Sequence, residues 1–213
     1  MSADDLTFTH RYISPQASGL PTLLMLHGTG GDENDLLSLG KTFVPGAGLL
    51  SPRGKVSEHG AARFFRRLDE GVFDIPDLKL RTGELAEFVR QAAKTYGFDA
   101  GNVIAVGYSN GANIAASLLL LAPDVLRGAI LFRSMLPFEP ETLPDLTGKQ
   151  VLMAAGRLDP LMAADQVEEL AAILKRAGAE VELRWQEGDH GLTMDDVGAA
   201  TAWLAGHELV PAR

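Results

Sequence analysis

The sequence predicts an α/β domain with a mostly parallel sheet flanked by helices. Three observations carry this. Short, fully apolar runs recur along the chain, amphipathic helical patterns lie between them, and glycine-rich turns follow several of the runs. A strand buried on both faces has no polar side to show, so it reads as an unbroken apolar run. Such strands joined by helices imply right-handed β-α-β units, and ligands then bind beyond the carboxyl ends of the strands.

The first run, Thr22-Leu23-Leu24-Met25-Leu26, ends at His27-Gly28. Val103–Val106, Ala129–Phe132 and Val151–Ala155 look alike, whereas Val181-Glu182-Leu183-Arg184-Trp185 alternates, as suits a strand nearer the sheet edge. Between them Leu78, Leu85, Phe88, Val89, Ala92 and Tyr96 keep one helical face, with Gly97 as the stop. Val167, Leu170, Ala171 and Leu174 repeat that pattern ahead of Gly178. A last helix is expected from Thr193, where Thr193 and Asp196 have capping-box spacing. The stretches Pro45–Gly60 and Pro137–Pro144 read as loops, and residues 1–213 as a single domain.

Composition narrows the chemistry. The chain has 213 residues, 46% hydrophobic and 22% charged, enough for a full core. It has no cysteine, which excludes disulfides, cysteine-ligated zinc and a thiol nucleophile. A net charge of −9 disfavours nucleic acid and anionic membranes as partners. The acidic start Met1-Ser2-Ala3-Asp4-Asp5 is unlike a secretory leader, and no apolar run reaches the ~20 residues of a membrane span, so a cytoplasmic location is expected.

One motif names a reaction. Gly107-Tyr108-Ser109-Asn110-Gly111 fits Gly-x-Ser-x-Gly, between the strand Val103–Val106 and a small-residue helix, Ala112–Leu121. The serine must stand on a sharp strand-to-helix turn where side chains two residues either side would collide. The alternative is an ordinary glycine-rich β-α turn. A serine hydroxyl needs a base, itself oriented by an acid, and with this elbow the chain order is serine, acid, histidine. Only His190 and His207 follow Ser109. His190, in the loop Gly188–Gly191, is the expected base; His207, beside Glu208, reads as a solvated histidine.

Asp159 follows the strand Val151–Ala155 and so sits at the same sheet edge as Ser109, which makes it the expected acid. Its competing role is to cap a helix beginning near Leu161. Asp189 is the rival acid, but adjacent side chains in a loop usually diverge. His27-Gly28-Thr29-Gly30-Gly31 matches a glycine loop that supplies an oxyanion donor, so the backbone amides of Thr29 and Asn110 are the expected pair. A phosphate loop fits less well, because neither Gly-x-Gly-x-x-Gly nor a Gly-Lys-Ser/Thr ending is present.

With these four motifs in order, the chain resembles the small carboxylesterases of the phospholipase/carboxylesterase branch of the α/β-hydrolases. It is most similar to the bacterial subgroup that includes hydrolases linked to hydroquinone resistance. Ser51-Pro52-Arg53-Gly54, Arg63-Phe64-Phe65-Arg66-Arg67 and Leu136-Pro137-Phe138-Glu139-Pro140 carry the likeness across nearly the whole chain. The resemblance implies a three-layer α/β-hydrolase fold in minimal form, without a large cap domain. It also implies Ser109 as nucleophile, Asp159 as acid, His190 as base, Thr29 and Asn110 as oxyanion donors, and a homodimer at the family level. His59 stands where asparagine is expected, which matters if that loop borders the acyl pocket.

Phe64, Phe65 and Arg133 are the candidate substrate contacts, and Phe73 joins the two rings in a segment able to wall one side of a cleft; core packing and a structural ion pair are the competing roles. The expected substrate is a small carboxylic ester, neutral or cationic unless Arg133 reverses the bias, with no cofactor and no metal. A thioesterase or lysophospholipase acting on longer acyl chains is the nearest alternative. A non-catalytic ligand-binding protein on the same fold is the more distant one.

Overall fold

The computed structural model describes residues 6–207; the acidic start Met1–Asp5, and Glu208 beside His207, lie outside them. The chain opens with β1 (His10–Ile13), β2 (Thr22–Leu26), α1 (Leu37–Phe43) and β3 (Gly48–Pro52). Two short hairpins follow, β4 (Val56–Glu58) with β5 (Ala61–Arg63) and β6 (Arg67–Asp69) with β7 (Val72–Phe73). The remainder alternates: α2 (Ile75–Tyr96), β8 (Val103–Tyr108), α3 (Asn110–Leu121), β9 (Gly128–Phe132), β10 (Gln150–Gly156), α4 (Ala164–Arg176), β11 (Glu180–Gln186) and α5 (Met194–Gly206). Seven strands form the main sheet in the order β1-β3-β2-β8-β9-β10-β11, and every pairing except β1 with β3 is parallel.

Period-two alternation in the strands divides the core into two layers. Leu24, Leu26, Val103, Ala105, Leu131 and Met153 face one side, against α2, α3 and α4. Leu23, Met25, Ile104, Val106, Ile130 and Leu152 face the other, against α1 and α5. This is the three-layer, mostly parallel arrangement expected from the sequence. The alternating run around Val181 is the edge strand β11, paired only with β10.

The helix signals have local physical causes. Asp74 caps α2 by accepting the Asp77 amide, and Gly97 ends that helix at φ 73°, its amide donating to Ala93. Thr193 and Asp196 make the reciprocal capping box of α5. Among the described residues no helix is long and apolar enough to cross a membrane.

The reading of Pro45–Gly60 as loop is corrected. Gly48–Pro52 is a fully buried strand between β1 and β2, and Val56–Glu58 is half of a hairpin. Glycine and proline frame only two leucines there, so local composition reads as turn while burial on both faces makes a strand. The helix expected near Leu161 starts at Ala164.

Candidate active site

The loops after β8, β9, β10 and β11 meet at one edge of the sheet. Ser109 holds φ 53° and ψ −115°, a strained conformation for a non-glycine residue, at the junction of β8 with α3. Its amide donates to the Phe132 carbonyl at 2.9 Å and its carbonyl accepts the Asn113 amide at 2.9 Å, so neighbouring elements impose the turn. A Cβ on Gly111 would lie 2.0 Å from the Leu26 carbonyl oxygen, and one on Gly107 2.5 Å from that of Gly111. Both glycines of the motif are therefore sterically required.

The Ser109 Oγ lies 2.8 Å from Nε2 of His190, and the His190 Nδ1 lies 2.7 Å from Oδ2 of Asp159. A carboxylate only accepts, so Nδ1 carries the imidazole proton and Nε2 is left to accept from the serine hydroxyl. The Asp159 carboxylate is fully buried and the His190 ring is one-fifth exposed. The other oxygen of Asp159 accepts the Leu161 amide at 2.9 Å, so the capping-type contact and the histidine contact coexist on one carboxylate. Asp189 instead accepts the Gly191 amide at 2.9 Å. His207 lies outside the cleft lining, bonded to the Trp203 carbonyl and packed on its ring.

The loop after β2 is held by its histidine. His27 is buried, its Nδ1 is 2.6 Å from the Gly28 carbonyl, and its Nε2 accepts the Gly54 amide at 3.0 Å. Accepting at Nε2 fixes the proton on Nδ1, and burial holds the imidazole below its ordinary pKa. The Gly30 and Gly31 amides are engaged by the carbonyls of Ala62 and Gly28, whereas the Thr29 amide finds no backbone acceptor among the described residues. Asn110 heads α3, where the first amides have no intrahelical acceptor. Its side-chain oxygen accepts the Phe64 amide at 2.7 Å.

Ser109 and His190 open into a cleft of about 280 Å³, bordered by Thr29, Arg63, Arg67, Phe73, Met135 and Met162. Arg63 donates to the Thr29 hydroxyl at 2.6 Å and pairs with Glu58 at 3.1 Å. Arg67 pairs with the same carboxylate at 2.8 Å and holds it below the ordinary glutamate range. Tyr108 also borders the cleft, and burial raises its phenol above its usual pKa. Among the described residues no group of three or more histidine, aspartate or glutamate side chains is placed to hold a metal ion.

All three candidate substrate contacts are corrected. Phe64 and Phe65 are 2% and 0% exposed and belong to the apolar core; the Phe64 ring packs on His27 at 4.7 Å. Arg133 is 0% exposed and ion-paired with Asp196 at 2.8 Å, out of reach of a ligand in the cleft. Of the three phenylalanines only Phe73 borders the cleft, which otherwise takes Arg63 and Arg67 from the same run of sequence, along with Met135 and Met162. The one signal was the cluster of arginine and phenylalanine itself, which does not say which side chains turn outward. His59 lies outside this cleft. It sits at φ 51° beside Gly60 at φ 87°, in the two-residue turn of the β4–β5 hairpin. A mirror-image type I turn there favours asparagine, so the unexpected histidine is a matter of turn conformation.

Known proteins resemble this chain in sequence and in fold. Residues 77–205 match the Dienelactone hydrolase family. The chain is 50% identical to "Putative hydrolase MhqD" of Bacillus subtilis (strain 168), over 91% of this chain and 96% of that one. It superposes on the Bacillus cereus carboxylesterase with a TM-score of 0.94 at 46% identity, covering 96% of each chain. On a carboxylesterase from Mesorhizobium loti the TM-score is 0.89 at 33% identity, covering 97% of this chain and 98% of that one. The chain belongs to the Dienelactone hydrolase family of α/β-hydrolases and is an ester-hydrolysing enzyme of carboxylesterase type.

Proposed function

We propose that the protein is a serine carboxylesterase acting on small carboxylic esters through Ser109, His190 and Asp159. The observation that carries this reading is the continuous hydrogen-bonded chain from the Ser109 hydroxyl through His190 to the buried Asp159 carboxylate. Ser109 Oγ attacks the ester carbonyl while its proton passes to His190 Nε2. The Thr29 and Asn110 amides receive the oxyanion; such a donor is worth roughly 10²–10³ in rate, because the charge exists only in the transition state. The tetrahedral species collapses and the leaving alcohol takes the Nε2 proton. Water then enters, gives a proton to Nε2 and attacks the acyl-enzyme. Collapse of the second tetrahedral species returns that proton to Ser109 Oγ and frees the acid. Asp159 holds the imidazole in the required tautomer and supports its charge when both nitrogens are protonated.

The size of the cleft favours short acyl chains over long ones. About 280 Å³ lies just below the roughly 300–1,000 Å³ usual for small-molecule sites, and paired arginines rather than an apolar tunnel border it. The test is fluorophosphonate labelling of the wild type and Ser109→Ala, followed by hydrolysis of nitrophenyl esters of increasing chain length. Labelling and turnover are expected only in the wild type, with preference for acetyl to butyryl esters. Turnover retained in folded Ser109→Ala overturns the nucleophile, and preference for long chains or thioesters overturns the substrate class.

A further inference from the structure

Every carbonyl of the tripeptide that carries His190 is fastened to the end of a sheet strand. Arg133 Nε donates to the Asp189 carbonyl at 3.0 Å, and Arg133 Nη2 donates to that of Gly191 at 2.8 Å. The carbonyl of His190 itself accepts the Tyr108 hydroxyl at 2.9 Å. Tyr108 directly precedes Ser109 at the end of β8, and Arg133 directly follows β9. The remaining guanidinium donors go to the Ala154 carbonyl at 3.2 Å and to both oxygens of Asp196, at 3.0 and 2.8 Å. All five N–H groups of a fully buried arginine are thus used.

Two features show that this arrangement is over-determined. Arg133 holds φ 56°, a left-handed conformation that costs a residue with a Cβ and persists only where surroundings impose it. Its backbone amide is bonded to Ala154 at 2.9 Å, the carbonyl its own side chain also reaches. Burial alone would raise the Asp196 carboxyl; the Arg133 guanidinium and Thr193 hold it below its ordinary value instead. Asp196 also closes the capping box of α5, so one carboxylate locks the guanidinium and the helix that follows the histidine loop.

We infer that Arg133 and Tyr108 are positioning residues that set the His190 imidazole in register with Ser109. The inference rests on the reading of His190 as the base. Gripping carbonyls on both sides of the residue fixes the plane from which its side chain leaves, and Tyr108 ties that plane to the nucleophile's own strand. Arg133 and Asp196 are fully buried, and Tyr108, which borders the cleft, acts here through the bond from its hydroxyl to the His190 carbonyl. A misplacement of about 1 Å can cost on the order of 10²-fold in rate.

Arg133→Lys keeps the charge beside Asp196 but offers three donors in place of five, so it cannot fill all of these acceptors. Its kcat is expected to fall roughly 10- to 100-fold with KM changed less than about twofold, since reactant alignment is lost and binding is not. Tyr108→Phe keeps the ring and is the milder variant; a smaller fall in kcat is expected. In both, the downfield proton resonance of His190 Nδ1–H should broaden or vanish well below the unfolding temperature. A folded Arg133→Lys with wild-type kcat and an intact resonance overturns the inference. If that variant does not fold, Tyr108→Phe decides in the same way. Retained turnover in Ser109→Ala would defeat the nucleophile reading alone, and the His190 resonance would still decide whether these residues order the loop.

Discussion

The Nδ1–H of His27 donates to the carbonyl of Gly28 across 2.6 Å, and that carbonyl shares a planar peptide with the Thr29 amide. In a trans peptide the N–H points opposite to the C=O, so anchoring one end aims the other. The Gly31 amide adds a second hold on the same oxygen at 3.1 Å. A buried histidine outside the cleft lining thereby orients a proposed oxyanion donor. His27→Phe should preserve the packing on Phe64 and lose the grip. Its kcat is expected to drop by about 10²-fold, the scale of losing one such donor, with KM little changed. Steady-state kinetics check this, and a kcat within twofold of wild type would show that the Thr29 amide needs no help.

The same histidine predicts a pH dependence of stability. Burial lowers the His27 pKa in the folded state, so the unfolded chain binds a proton more readily. Stability from this group is complete above the unfolded pKa of about 6.5 and is lost as pH falls from there towards the depressed folded value. The slope is at most about 1.4 kcal/mol per pH unit. Urea titrations at successive pH values should show stability falling below about pH 6.5 in wild type. Carboxylates held low, such as Asp196 and Glu58, lose their contributions only at lower pH. A wild-type curve parallel to that of His27→Phe over this window would remove His27 as the cause.

The two aspartates near His190 should separate cleanly. Asp159 accepts from the imidazole, whereas Asp189 accepts only a loop amide. Asp159→Asn can present a donor to Nδ1 and favour the wrong tautomer, at a cost of about 10⁴ in kcat. Asp189→Asn keeps an oxygen for the Gly191 amide, so its rate should stay within a few-fold of wild type. The reverse order of effects would mean that the hydrogen-bonding roles had been exchanged in solution.

Aromatic and thioether side chains should divide between stability and selectivity. Phe64→Ala removes a core ring and should cost about 3–5 kcal/mol without changing ester preference. Met162→Ala enlarges a wall of the cleft and should shift preference towards longer acyl chains with a smaller loss of stability. Denaturant midpoints and the nitrophenyl series measure both. A changed chain-length profile in Phe64→Ala would place that ring back among the substrate contacts.

Much of the fold was legible because its strands are self-announcing. Leu23–Leu26 and Val103–Val106 are apolar without interruption, and Gly97 and Thr193 mark helix ends through local chemistry. β3 was hidden because its two leucines sit among glycines and prolines whose composition belongs to turns. At the site, the Gly-x-Ser-x-Gly motif marked Ser109, the order serine, acid, histidine narrowed the base to His190 or His207, and the strand ending at Ala155 marked Asp159. Side-chain direction was not legible: nothing in Arg63-Phe64-Phe65-Arg66-Arg67 says that the rings turn inward while Arg63 and Arg67 border the cleft. Nor does the sequence show that Arg133 meets Asp196, 63 residues later, since that pairing exists only after β9 and α5 are placed.

The position of β11 at the outside of the sheet has a consequence for the order in which activity appears during refolding. Ser109 follows the central strand β8, while His190 arrives only with the loop beyond the outermost strand. An intermediate in which the inner strands are paired and β11 is still detached would display the proposed nucleophile without its proposed proton acceptor, and on that reading would be chemically silent. With His190 as the proposed base, recovery of esterase activity is expected to time the docking of β11, independently of how early the rest of the sheet has formed.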